Sequence, residues 1–120
     1  MKGLLNSLRY ALLGLRSALK TERNLRIHIV ATLVAVVMGI YLKLSMIKWG
    51  IVILVIGFVL VAELFNTAME RLGDYASNGN QKKLIRQAKD TAAAGVLISV
   101  IVSLIIGIMF LIIPFMQSFL

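Results

Sequence analysis

Three apolar runs, each closed by polar residues, organise the chain. They cover residues 25–42, 49–69 and 91–115, each close to the ~20 residues a helix needs to cross a bilayer core. The connection "KLSMIKW" between the first two is short and predicts an antiparallel hairpin, with Tyr41 and Trp49 as interfacial anchors. The second connection, "GDYASNGNQKKLIRQ", has Gly, Ser and Asn punctuation followed by basic residues. The third run opens on "TAAAG", small residues that permit close helix–helix approach.

Ahead of the spans, Lys2, Arg9, Arg16 and Arg23 recur every seven residues, opposite Leu4, Leu5, Leu8, Leu12, Leu15 and Leu19. Residues 2–23 therefore read as an amphipathic helix lying in the membrane interface, placed over 1–24. A soluble helix packed on a partner protein is the alternative. Arg9 and Arg16 interrupt any signal-peptide core, and no cleavage-type sequence follows.

The fold expected from this pattern is an all-α membrane protein, with one surface helix and three transmembrane helices in a single domain over 1–120. Composition agrees: 60% of 120 residues are hydrophobic, more than a small soluble fold could keep from water. The lack of cysteine excludes disulfides and thiolate metal sites.

Charge sets the orientation. Six basic residues precede or open the first span, five lie between Arg71 and Lys89, and only Lys43 and Lys48 lie in the first connection. The positive-inside rule puts the N-terminus and the 71–89 loop in the cytoplasm. The net charge of +8 would suggest nucleic acid in a soluble protein. Here anionic headgroups and a phosphorylated substrate are the counterparts, and no nucleic-acid partner is expected.

The five acids, Glu22, Glu63, Glu70, Asp74 and Asp90, then all fall at or near cytoplasmic ends of spans. At about 100° per residue, Glu63, Asn66, Glu70 and Asp74 share one helix face within roughly 80°. Glu63 sits two turns inside Glu70, about 10 Å deeper at ~1.5 Å per residue. A carboxylate at that depth costs several kcal/mol unless paired, protonated or wetted, which makes it a functional candidate. The structural reading is a Glu–Lys or Glu–Arg pair holding helices together. For Asp74 it is an ordinary solvated or ion-paired charge.

Two carboxylates and an amide on one face suit a magnesium ion that keeps its waters and binds substrate phosphates. The deeper carboxylate could act as general base on a hydroxyl. "AKD" at 88–90 places a lysine and an acid at the expected start of the third span, where a helix N-terminus favours phosphate. The residues thus permit phosphoryl transfer to a lipid hydroxyl. No Walker-type or protein-kinase loop is present. An ion or proton conduit lined by Glu63 and Glu70 uses the same residues, and this chemistry alone leaves both open.

The stretches "TERNLRIH" (21–28), "AELFNTAMERLGD" (62–74) and "AKDTAAAGVLI" (88–98) resemble the prokaryotic diacylglycerol kinase and undecaprenol kinase family of small membrane lipid kinases. The resemblance spans nearly the whole chain, in the same motif order. It implies a homotrimer in the bacterial inner membrane, with active sites shared between protomers and ATP and Mg2+ as donor and cofactor. Glu63 matches the catalytic carboxylate acting on the lipid hydroxyl, and Asn66 the amide beside it. Glu22 and Glu70 match the magnesium ligands. Lys89 and Asp90 match the nucleotide-contacting pair, and Tyr10 a nucleotide-contacting tyrosine. Arg26 and His28 fall where the family lines its lipid-side cleft; an interfacial His28 with no role is the plain alternative.

One departure stands out. Where the family usually carries a Glu-Tyr-His-like stretch, this chain has "SNGNQKKL" (77–84), so Asn78, Asn80 or backbone groups would have to supply those nucleotide contacts. "ERN-x-R-I-H" and "N-T-A-x-E" look more like the undecaprenol kinase branch, with diacylglycerol as the alternative acceptor. A catalytically silent membrane subunit is the remaining reading.

Overall fold

The computed structural model describes residues 2–78 and 82–120. The protein is all-helical. Helix α1 runs Lys2–Thr21, α2 Arg23–Tyr41, α3 Met46–Ser77 and α4 Lys83–Gly107; the α4 axis continues through a π-helical segment, Ile108–Ile112, into a last helix α5, Ile113–Gln117. Three of these runs, Arg23–Tyr41, Met46–Ser77 and Lys83–Gln117, are long and apolar enough to cross a membrane.

The leading helix is shorter than its heptad spacing suggests. Glu22 is extended (φ −103°, ψ 106°) and breaks the chain between α1 and α2. Arg23 therefore opens α2 and does not continue the basic face of Lys2, Arg9 and Arg16. Packing stabilises this elbow: Ala18 and Leu25 on its two sides are buried. Arg26 Nη1 donates to the carbonyls of Leu19 (3.0 Å) and Lys20 (2.9 Å), satisfying acceptors that the end of α1 would otherwise leave bare.

The hairpin between α2 and α3 closes tightly. Lys43 occupies the left-handed region (φ 54°), and Leu44 and Lys43 N–H groups bond back to Gly39 and Ile40 carbonyls, a Schellman ending. Ser45 caps α3 by accepting from the Lys48 N–H (3.3 Å). Trp49 then lies on Gly39: a Cβ there would stand 2.6 Å from the indole Cη2. At the same end Tyr41, Phe115 and Phe119 stack edge to face, with centroids 5.7 and 5.0 Å apart.

The second connection differs most from its sequence reading as a loop over 71–89. Arg71–Ser77 extend α3, and α4 begins at Lys83. Asn78 ends α3 in the left-handed region (φ 51°), which Asn tolerates. Lys89 and Asp90 consequently lie almost two turns inside α4, not at its N-terminus. No helix-end phosphate site forms around them. Asn80 lies outside the described residues.

Core contacts favour α3 against α4, with α2 packed more lightly on α3. Helix α3, 32 residues long, measures about 48 Å at 1.5 Å per residue and outruns a ~30 Å hydrocarbon core. Counting from Met46, the core ends near Asn66, which leaves Glu63 at its edge and Glu70 and Asp74 beyond it. The π segment traces to Pro114. Proline cannot donate to the Phe110 carbonyl, and its ring crowds that group. The turn widens, and the Ile113 N–H bonds to Ile108 five residues back.

Candidate active site

A cleft of about 490 Å³ opens between α2, α3 and the middle of α4. Its polar wall is Asn24 and His28 from α2 with Glu63, Asn66 and Glu70 from α3; Ala93, Val96, Leu97 and Val100 of α4 form the apolar wall. The face shared by Glu63, Asn66 and Glu70 is thus turned into one cavity, and the small Ala93 leaves room opposite.

Glu63 is buried, with 4% of its surface exposed. Its partner is neither lysine nor arginine: His28 Nε2 lies 3.2 Å from Glu63 Oε1. His28 also sits on the rim of a second cavity, of about 350 Å³, which continues away from the polar end between α2, α3 and the α4–π run. Val34, Met38, Val55, Val59 and Leu111 line it, so it is almost wholly apolar. A polar cleft and an apolar chamber therefore meet at one histidine.

Asn66 stands one turn beyond Glu63. Its Oδ1 is buried with no hydrogen-bond partner among the described residues. A buried acceptor left bare costs about 1–3 kcal/mol, so this atom is set for a donor that the described residues do not supply.

Glu22, at the elbow, is half-buried. Thr21 Oγ1 lies 3.4 Å from Glu22 Oε1 and accepts from Arg71 Nη2 at 2.8 Å. The elbow is thereby tied to α3 at the residue after Glu70. Among the described residues no three His, Asp or Glu side chains converge on one point. Glu22 and Glu70 nonetheless offer the hard oxygen donors that suit magnesium, an ion that fills its remaining positions with water and substrate phosphate.

The nucleotide candidates are spread more widely. Lys89 Nζ bonds to Asp74 Oδ1 across Gly73. Asp90 is exposed and pairs with Arg86 at 3.3 Å, one turn back. Tyr10 is exposed on α1. Arg26, expected to line the lipid-side cleft, is turned instead to the carbonyls closing α1.

Three participants escaped the sequence reading. Asn24 could have been found, because it lies four residues before His28 on one helix face. Thr21 and Arg71, fifty residues apart, carried no local signal.

The family model described as Prokaryotic diacylglycerol kinase matches residues 9–111. An undecaprenol kinase of Bacillus subtilis (strain 168) is 35% identical over 96 residues, which cover 80% of this chain and 77% of that protein. A diacylglycerol kinase of Synechocystis sp. is 36% identical over 104 residues, 87% of this chain but only 59% of its own length. A diacylglycerol kinase of Escherichia coli (strain K12) is 34% identical over 96 residues, 80% of this chain and 78% of that protein.

Proposed function

This chain belongs to the prokaryotic diacylglycerol kinase family and is a membrane lipid kinase with ATP as phosphoryl donor, and we propose that its acceptor is undecaprenol. That membership sets the ion-conduit reading aside. The observation that carries the mechanism is the placement of Glu63, a buried carboxylate on the wall of the cleft where the apolar chamber begins.

The hydroxyl-bearing end of the prenyl chain lies in the apolar chamber, with the rest in the surrounding lipid, and its terminal hydroxyl reaches the cleft past His28. Glu63 takes the hydroxyl proton while the oxygen attacks the γ-phosphorus, and the bond to the bridging oxygen of ADP breaks. Asn66 Oδ1, without a partner among the described residues, accepts from a water beside the acceptor hydroxyl. Glu22 and Glu70 would hold a magnesium ion, which would supply charge neutralisation at the transferring phosphates. Lys89 releases Asp74 and turns to phosphate, with Asp90 and Tyr10 at the nucleotide.

Tyr10 and Asp90 lie away from this chain's own cleft, which supports a homotrimer with sites shared between protomers. The exposed apolar face of α3, Leu54, Phe58, Val61 and Phe65, offers a surface for that assembly. In this reading α1 lies in the interface at the cytoplasmic side of a bacterial inner membrane, with the N-terminus and the α3–α4 end inside.

Undecaprenol is favoured by the "ERN-x-R-I-H" and "N-T-A-x-E" wording and by the Bacillus relative; the other relatives make diacylglycerol the second reading. The test is phosphate transfer from radiolabelled Mg-ATP in mixed micelles offered each lipid separately, with Glu63→Gln as control. Transfer to undecaprenol well above diacylglycerol, lost in the variant, is the expected result. Preferential transfer to diacylglycerol would overturn the acceptor assignment, and a fully active Glu63→Gln would overturn the role of Glu63.

A further inference from the structure

We infer that His28 is a positioning residue for Glu63, fixing which carboxylate oxygen meets the acceptor hydroxyl. The inference rests on the reading of Glu63 as the group that acts on that hydroxyl.

The contact has a defined polarity. To act as base Glu63 must be ionised, and an ionised carboxylate only accepts hydrogen bonds, so in that role the 3.2 Å approach of Nε2 to Oε1 puts the proton on Nε2. Oε1 is then occupied by His28. Oε2 makes no hydrogen bond among the described residues, and Glu63 lines the cleft, so Oε2 is the atom left for substrate. A free glutamate has three side-chain torsions. Tying one oxygen to the rigid α2 removes most of that freedom before substrate arrives.

His28 is itself well held. Its backbone carbonyl accepts from Thr32 Oγ1 at 2.8 Å, and its ring is only 22% exposed. It stands at the junction of the polar cleft and the apolar chamber, lining both. A helix–helix strut would serve equally well anywhere along the α2–α3 contact; this donor falls on the carboxylate nearest the chamber mouth.

The sole histidine of the chain gives the test two independent readouts. In kinetics, His28→Leu removes the donor and should lower kcat about 10- to 100-fold, the range for a hydrogen bond to a charged group, with the lipid KM little changed. His28→Gln returns an N–H near the Nε2 position and should recover most of that loss. In nitrogen-15 spectra of histidine-labelled protein in micelles, the ring-nitrogen pair of this one histidine should report a protonated Nε2. It should shift in Glu63→Leu but not in Glu70→Gln.

A lipid KM that rises while kcat holds would make His28 a substrate contact and overturn the inference. So would a folded His28→Gln no better than His28→Leu, or a signal indifferent to Glu63. Turnover retained in Glu63→Gln would instead sink the underlying assignment of Glu63. Turnover lost there but normal in His28→Leu would sink only the role of His28.

Discussion

Lys89 reaches Asp74 by laying its alkyl chain across Gly73, so the position of one ammonium on α4 depends on a missing side chain on α3. A Cβ at Gly73 would stand 3.0 Å from Lys89 Cε and 3.2 Å from Ile85 Cγ2. The lysine side chain is only 15% exposed while its partner carboxylate is 71% exposed, so the lysine is packed between the two helices and its partner faces outward. Asp74 thus holds the ammonium by a pair of small net strength, which in the proposed mechanism gives way to phosphate.

Gly73→Val should therefore act on nucleotide and not on lipid. Its branched side chain pushes Lys89 off the α3 surface, and the loss of a charge-assisted contact to phosphate predicts a rise in the KM for ATP of about 10-fold. Steady-state kinetics with each substrate varied in turn check this. An equal rise in the lipid KM would mean that the helices had moved as a whole.

Much of the molecule was legible from pattern. The three apolar runs announce three membrane-length helices because hydrocarbon leaves the backbone no other partner than itself. The face joining Glu63, Asn66 and Glu70 follows from helix geometry alone, and the cleft confirms that they line one wall. Sequence reasoning failed where tertiary contacts overrode local signals. The polar residues of the 71–89 stretch read as a loop, yet Gly73 and Ile85 pack together and draw both helices past the bilayer edge. The partner of Glu63 lies 35 residues away on another helix. Arg26 sits in a motif whose resemblance points to substrate, but the bare carbonyls at the end of α1 claim it.

Thr21→Ala tests the elbow as a part of the proposed metal site. The hydroxyl accepts from Arg71 and lies 3.1 Å from the Ser17 carbonyl and 3.4 Å from Glu22 Oε1, so its loss unties the elbow beside Glu22 from α3 without removing any proposed ligand. The magnesium concentration for half-maximal activity should rise several-fold, with kcat at saturating magnesium nearly restored, since one neutral hydrogen bond contributes about 1 kcal/mol. Glu70→Gln, which removes a ligand, should not be rescued in this way. A magnesium titration of both variants at fixed ATP separates the two cases.

Gly39→Val should destabilise the hairpin end far from the site. The added Cβ would lie 2.6 Å from Trp49 Cη2 and 3.1 Å from Leu44 Cδ1, and neither the tight turn nor the indole can withdraw freely. Overpacking of this kind costs about 1–3 kcal/mol, read as a lower unfolding midpoint in micelles. Trp49→Leu introduced alongside should recover part of the loss, because the two substitutions act on one contact and are not additive.

The apolar chamber invites the most direct test of where the lipid chain lies. Gly107 lines it, at the start of the π segment, and a Cβ there has nothing within 4 Å. Gly107→Leu can therefore enter the chamber without forcing the backbone apart, and it replaces a helix-weakening residue with a strong helix former. Folding stability should hold or rise while the chamber loses volume. If the prenyl chain occupies this space, the KM for undecaprenol should rise about 10-fold or more, the KM for ATP should not move, and a short-chain prenol that stops before residue 107 should be phosphorylated as well as by the unaltered protein. Equal losses on long and short prenols would place the chain elsewhere, against the outer faces of α2 and α4, and would leave the chamber as a packing void between three helices.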